Sequence, residues 1–304
     1  MVLGNTPDPA MTAASMELPG TTSPSAPAVP APAAARQPAF RIVCAALLVR
    51  LVLLLLSHGV HFVESRLKDP TSFVNETTNI AASIAAGHGF GTPFVAVIAG
   101  EGYTGPSAWI APVYPYLCAA FFKAAGSYSR GAFVLLLLLQ CVFSALTCIP
   151  ILRIGELTVG PRAGYIAALL WAVFPWFSVW AISWIWEISL SALLMSLLFW
   201  WALRLKDSFR NSQALLFGAA WGFALLVNPA LLMLLPVSLL WLTTERRRVG
   251  TPWLRSSVLA LLACALVTAP WIVRNRVVVG SWSFIRGNFG FEFALANYHG
   301  SKGL

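Results

Sequence analysis

An all-α integral membrane protein is predicted by three features of this chain. Of its 304 residues, 58% are hydrophobic and only 10% charged, whereas soluble domains carry about 25% charged residues. Apolar runs of close to 20 residues recur, each long enough to cross roughly 30 Å of hydrocarbon. Alternating segments of about 10 residues, the mark of a membrane β-barrel, are missing from the sequence. The net charge of +9 does not imply nucleic acid as a partner. The Lys and Arg residues sit in short loops, where they set the orientation of membrane spans.

Residues 1–38 are rich in Pro, Ala, Ser and Thr. They cannot bury enough apolar surface to offset ordering entropy, which predicts a disordered cytoplasmic tail. The apolar run from Phe40 to Val60 has too long a leader and too long a core for a cleaved signal peptide, so it reads as a signal-anchor span. Residues 39–304 then form one transmembrane domain. Its first external loop, residues 61–130, is polar and carries two amphipathic surface helices. The first covers about residues 75–86 and stops at Gly87 and Gly89, which suit a helix C-terminus. The second covers about residues 112–125, with Pro112 near its start. Both are too short to span and suit the membrane interface.

Spans two, three and four are expected near residues 131–152, 162–179 and 183–203, and the seventh near 257–273. The 31 residues from 213 to 243 are too many for one straight span. A hairpin turning at Asn228-Pro229 would put Arg204, Lys206 and Arg210 on the same side as Arg246, Arg247 and Arg248, as the positive-inside rule favours. About seven transmembrane helices result, with residues 61–130 and 274–304 outside. Trp176, Trp180, Trp184 and Trp186 gather at the outer turn between spans three and four, as an aromatic belt would or as a wall for a prenyl chain or a sugar ring. The five cysteines show no metal-ligand spacing.

Glu76 is the leading acid. In a helix over 75–86, Glu76, Ile80 and Ile84 share one stripe, so the carboxylate points with the apolar anchors. It suits a general base, and equally a helix-start residue favoured by the macrodipole. Glu187, at the outer end of span four, either faces the same cavity or reaches the interface. His88 lies between Gly87 and Gly89, where backbone approaches a ligand easily. Asn228 would sit at a broken helix, tolerated inside protein or beside a wet cavity. Arg274, Arg276 and Arg286 are external, against the orienting bias. A phosphate gripped by guanidinium would explain them, as would lipid headgroups or salt bridges. Arg50 lies inside the first span, where an unpaired charge is costly. It either pairs structurally or holds a lipid phosphate.

Three stretches carry a family resemblance: NETTNIAASIAAGHGF at 75–90, GPSAWIAPVYPYLCAAFFKAAG at 105–126 and PWIVRNRVVVGSWSFIRGNFGFE at 270–292. With NPALL at 228–232, the layout resembles the GT-C superfamily of membrane glycosyltransferases, in particular bacterial relatives of dolichyl-phosphate-mannose protein mannosyltransferases and the aminoarabinose lipid A transferase. The resemblance implies sugar transfer, with inversion, from a polyprenyl-phosphate donor to a lipid, glycan or protein acceptor at the outer face of the plasma (inner) membrane. Glu76 takes the place of the family's catalytic acid. Arg274, Arg286 and Arg276 would hold the donor phosphate, while His88, Glu187, Asn228 and Tyr114 are candidates to line the substrate cavity. Membrane lipids are the other expected partners. No cofactor is implied; a divalent metal held partly by substrate phosphate stays open. Members of this superfamily often pair the acid with a second one and continue through further spans, so a chain ending at Leu304 is expected to be a shortened form. Two alternatives compete: a transporter or flippase of lipid-linked sugars, and a non-catalytic remnant of a transferase.

Overall fold

The computed structural model describes residues 36–58, 75–94, 105–206, 209–250 and 252–298. The expected tail lies almost wholly outside these residues, as does the middle of the first loop. The fold is all-helical. Helix α1 (Arg36–His58) is followed by α2 (Glu76–Ala85) and α3 (Val113–Ala125). Then come α4 (Arg130–Leu146), α5 (Cys148–Thr158), α6 (Pro161–Val173), α7 (Pro175–Ser183), α8 (Ile188–Leu205) and α9 (Asn211–Val227). A 3₁₀ turn (Pro229–Met233), α10 (Leu234–Arg248), α11 (Leu254–Arg274), a π turn (Asn275–Val279) and α12 (Phe289–Asn297) complete it.

Four helical stretches among the described residues are long and apolar enough to cross a membrane: Ala39–Ser57, Arg130–Thr158, Ile188–Leu205 and Leu254–Val279. A fifth is the pair α6 and α7, bent by 45°. The other two expected spans fall on helices shorter than these, α9 with 17 residues and α10 with 15. Span two is longer than its apolar text predicts, because α4 and α5 run on almost without a break. The small discontinuity at Thr147 lies three residues before Pro150, whose missing N–H frees a carbonyl one turn back.

Pro175 causes the 45° bend, and the bend accounts for Arg50. A proline at 175 cannot donate to the carbonyl of Trp171, and the break at Phe174 disturbs the next bond as well. Arg50, fully buried, supplies the missing donors. Its Nη2 reaches the Trp171 carbonyl at 3.1 Å and its Nη1 the Ala172 carbonyl at 3.0 Å. Its Nε donates to Ser144 Oγ at 2.8 Å, and Nη1 also to the Ala46 carbonyl. Of the two readings of Arg50, the structural one fits: the guanidinium is a cap for a proline-broken helix.

The stretch 213–243 is a hairpin, as its loop charges predict. Leu242 near the end of α10 joins a core cluster with Phe209, just before α9, and Phe217, in its first half. Arg246 donates to the Pro252 carbonyl, and Ser256 Oγ to that of Phe209 at 2.8 Å. These contacts gather the basic loops at one end of the bundle. Helix α9 lies against α11 at backbone contact: a Cβ on Gly218 would stand 1.9 Å from the Ala260 carbonyl oxygen.

Candidate functional site

The opposite end of the bundle collects the first-loop helices, the turn between α7 and α8, the turn after α9, and the segment after α11. Asn75 fixes α2 by a reciprocal cap. Its Oδ1 accepts from Thr78 N at 2.9 Å, while Thr78 Oγ1 accepts from Asn75 N at 3.0 Å, closing both ends of the first turn. The Asn75 amide also donates to the Ile185 carbonyl at 3.3 Å. Ile80 is fully buried, and Thr77, Thr78 and Ala81 are buried beside it, so α2 is clamped with Glu76 half-buried at its first position.

Gln140, buried in mid-span, holds the turn that carries Glu187. Its amide donates to the Trp184 carbonyl at 3.0 Å and accepts from Trp186 N at 3.3 Å. Sequence reasoning passed over Gln140. Its signal was a lone carboxamide inside an otherwise apolar run, which in a membrane asks for a partner.

These supports bring Thr77, Tyr114, Pro115, Trp186, Glu187, Pro229 and Arg286 around one narrow pocket. Glu187 is pushed up from the ordinary 4.5 to about 7. Burial is the main cause; the Glu76 carboxylate adds to it, while a backbone hydrogen bond and Arg286 oppose it. Glu187 is therefore within electrostatic reach of both Glu76 and the Arg286 guanidinium, while Glu76 itself is not among the residues lining the pocket, where its neighbour Thr77 stands. Glu76 has no second acid beside it in its own helix, where many members of the superfamily carry one; the acid within its electrostatic reach, Glu187, comes from the turn before α8. Among the described residues, no hydrogen bond or ion pair engages the Glu76 side chain.

The three arginines between 274 and 286 differ. Arg286 lines the pocket; its Nε donates to Asn288 Oδ1 and its Nη2 reaches Glu292 Oε1 at 3.2 Å. Arg274 is turned toward the first loop. It donates to the carbonyls of Ser107 and Phe90 and lies over the rings of Trp271, at 4.8 Å, and Phe90, at 5.4 Å. There it ties the short pairing of Gly91 with Pro106 to the last span. Arg276 is exposed, donating to the Gly280 carbonyl and lying 5.7 Å from the Trp282 ring centre.

His88 is exposed in the turn after α2, flanked by Gly87 and Gly89 with φ of 87° and 80°, left-handed values that glycine adopts without strain. It is not among the residues lining the pocket. Asn228 caps the 3₁₀ turn, its Oδ1 accepting from Ala230 N at 3.0 Å, and its neighbours Val227 and Pro229, rather than Asn228 itself, touch the pocket. Tyr114 lines it with a buried hydroxyl that has no hydrogen-bond partner among the described residues.

The profile of the dolichyl-phosphate-mannose-protein mannosyltransferase family matches residues 109–273, more than half of the chain. The match takes in Tyr114, Glu187 and Asn228, begins after Glu76, and ends one residue before Arg274. No curated protein and no solved structure matches the chain. The all-helical bundle, the apolar spans and this match agree with the resemblance read from the sequence: the chain belongs to the dolichyl-phosphate-mannose-protein mannosyltransferase family, a GT-C group of membrane glycosyltransferases.

Proposed function

We propose that the protein transfers a sugar from a polyprenyl-phosphate donor to a lipid, glycan or protein acceptor, with inversion, and that Glu76 is the general base. One observation carries this reading: Glu187 and Arg286 line one pocket with Thr77, the chain neighbour of Glu76, and the Glu76 carboxylate lies within electrostatic reach of Glu187. The carboxylate of Glu76 would take the proton from the acceptor hydroxyl. The freed oxygen attacks the anomeric carbon from the face opposite the phosphate, the bond from that carbon to the phosphate oxygen breaks, and polyprenyl phosphate leaves. Negative charge grows on the phosphate as this happens. Arg286 is the guanidinium placed to stabilise it, with Arg274 and Arg276 further along the same segment. Because Arg274 already serves two loop carbonyls, its part is to position the loop, and Arg286 becomes the first choice for the phosphate. Glu187, neutral below about pH 7, adds no full negative charge near a departing phosphate at or below neutrality.

The pocket end is assigned to the outer face of the plasma membrane, with the N-terminus cytoplasmic and residues 61–130 and 274–304 external. The support is electrostatic: the other end gathers the basic loops around Arg153, Arg204, Arg210 and Arg246. Membrane lipids surround the bundle, whose outward apolar residues include Leu240 and Leu266, 65% and 74% exposed.

The purified protein in detergent should release polyprenyl phosphate from a polyprenyl-phosphate sugar when an acceptor is supplied. A transporter would not, since detergent abolishes any gradient. Arg286→Ala should raise the donor KM about 10–100-fold, the worth of one hydrogen bond to a charged group, about 1.5–3 kcal/mol. An unchanged KM would remove Arg286 from the phosphate site.

A further inference from the structure

The Tyr114 hydroxyl is the least explained polar group at the pocket. Tyr114 sits in the first turn of α3, 2% exposed, with its ring fixed in a cluster that includes Cys118, Ile185, Leu190 and Val227. Its Oη is buried and has no partner among the described residues, although a buried hydroxyl nearly always finds one. The rigid ring leaves that hydroxyl little freedom to seek one elsewhere. It feels the charge of Glu187, and both line the same pocket, together with Thr77 and Arg286. The enclosed part of the pocket has room for about one water-sized group. A sugar ring cannot enter it, but a single hydroxyl can. Trp186, 42% exposed at the rim, offers a flat face on which the C–H side of a sugar ring can rest.

We propose that Tyr114 is a specificity-determining residue: its Oη hydrogen-bonds one hydroxyl of the transferred sugar, inserted between Tyr114 and Glu187 while the ring lies on Trp186. This rests on the pocket being the transferase site argued above. The ligand class is therefore a hexose or pentose with a free hydroxyl at one ring position. An analogue lacking that hydroxyl would leave both protein groups buried and unpaired, which is how a polar subsite rejects a deoxy substrate.

The test uses Tyr114→Phe, which removes one oxygen and keeps the packing, in the full chain purified in detergent. Probes are polyprenyl-phosphate mannose, glucose, galactose and arabinose, plus the monodeoxy analogues of whichever is consumed fastest. The expected result has three parts. The variant's melting temperature stays level or rises, because an unpaired hydroxyl has gone. Its kcat/KM for the best sugar falls about 10–100-fold. One deoxy analogue, disfavoured by the wild type to a similar degree, is used equally by wild type and variant. Unchanged kcat/KM with discrimination intact would overturn the assignment and leave a resident water as the hydroxyl's partner. A lowered melting temperature with equal losses on every sugar would make Tyr114 purely structural. If the wild type consumes none of the donors, the transferase reading itself falls, and this assignment with it.

Discussion

Around Arg50, groups withdrawn from water are matched with partners: one guanidinium serves three backbone carbonyls and a serine hydroxyl. Arg274 repeats the pattern at the membrane surface with the carbonyls of two loop strands. The pocket below α2 is built otherwise. Among the described residues its tyrosine hydroxyl has no partner and the nearby Glu76 carboxylate is engaged by no donor, while its half-buried acid, Glu187, is pushed up to about 7. Both regions draw polar groups into a membrane protein at comparable cost. On the function proposed above, the difference separates architecture from site: the satisfied guanidinium groups hold the fold, and the unsatisfied groups at the pocket are the ones a substrate would meet. Burial of a charge alone would have ranked Arg50 above Glu187 as a functional candidate, and its partners reverse that order.

That contrast can be broken in four places. Glu76→Gln should lower turnover about 10²–10⁴-fold, the range of a lost general base, while melting stays within about 2 °C of wild type, because no native bond is removed. Initial rates beside a thermal melt decide it; wild-type rates would take Glu76 out of the mechanism. Arg50→Leu should do the reverse. It strands the Trp171 and Ala172 carbonyls and Ser144 at about 1–3 kcal/mol each, so melting should drop by roughly 10 °C. Any surviving folded fraction should keep the wild-type donor KM, and a specific rise in KM would reopen a ligand role for Arg50.

A smaller effect is expected at Arg274. Its replacement by Ala leaves the Ser107 carbonyl without a donor, whereas Phe90 keeps its bond from Ser107 N. A loss of about 2 kcal/mol, roughly 5 °C, should accompany any weakening of donor binding. A KM rise with an unmoved melt would return Arg274 to the phosphate site. The fourth effect concerns pH. Glu187 has its folded value raised from 4.5 to about 7, so between those values the folded state binds more protons than the unfolded one. Stability contributed by this group should therefore be fully present below about pH 4.5 and decline as pH rises through about 7. Glu187→Gln should flatten that decline in melts recorded across the interval. A decline of undiminished slope would show that Glu187 is not the group responsible.

Much of the architecture was legible because membrane insertion imposes one-dimensional rules. Span-length apolar runs, basic loops and Pro-Gly punctuation placed α2, α3 and the hairpin at Asn228-Pro229 to within a residue or two. The site was less legible. Glu76 could be singled out because its helical neighbours Ile80 and Ile84 fix its direction, and Glu187 because it interrupts an apolar run. Gln140 and Thr77 carried no pattern of their own. Arg274 could not be ranked against Arg286 from the sequence, since a cation beside a loop looks equally free whether its donors face solvent or a neighbouring carbonyl.

By itself, then, the sequence determined what depends on local composition and period: an all-helical bundle in a membrane, two surface helices in its first loop, and a family. Only the tertiary structure decided which polar groups meet. Partners separated by 94 residues, as Arg50 and Ser144 are, or by 110, as Asn75 and Ile185 are, leave no mark on either local segment. Whether a buried charge is an anchor or a reagent depends on those partners, and they are fixed by helix packing rather than by neighbours in the chain.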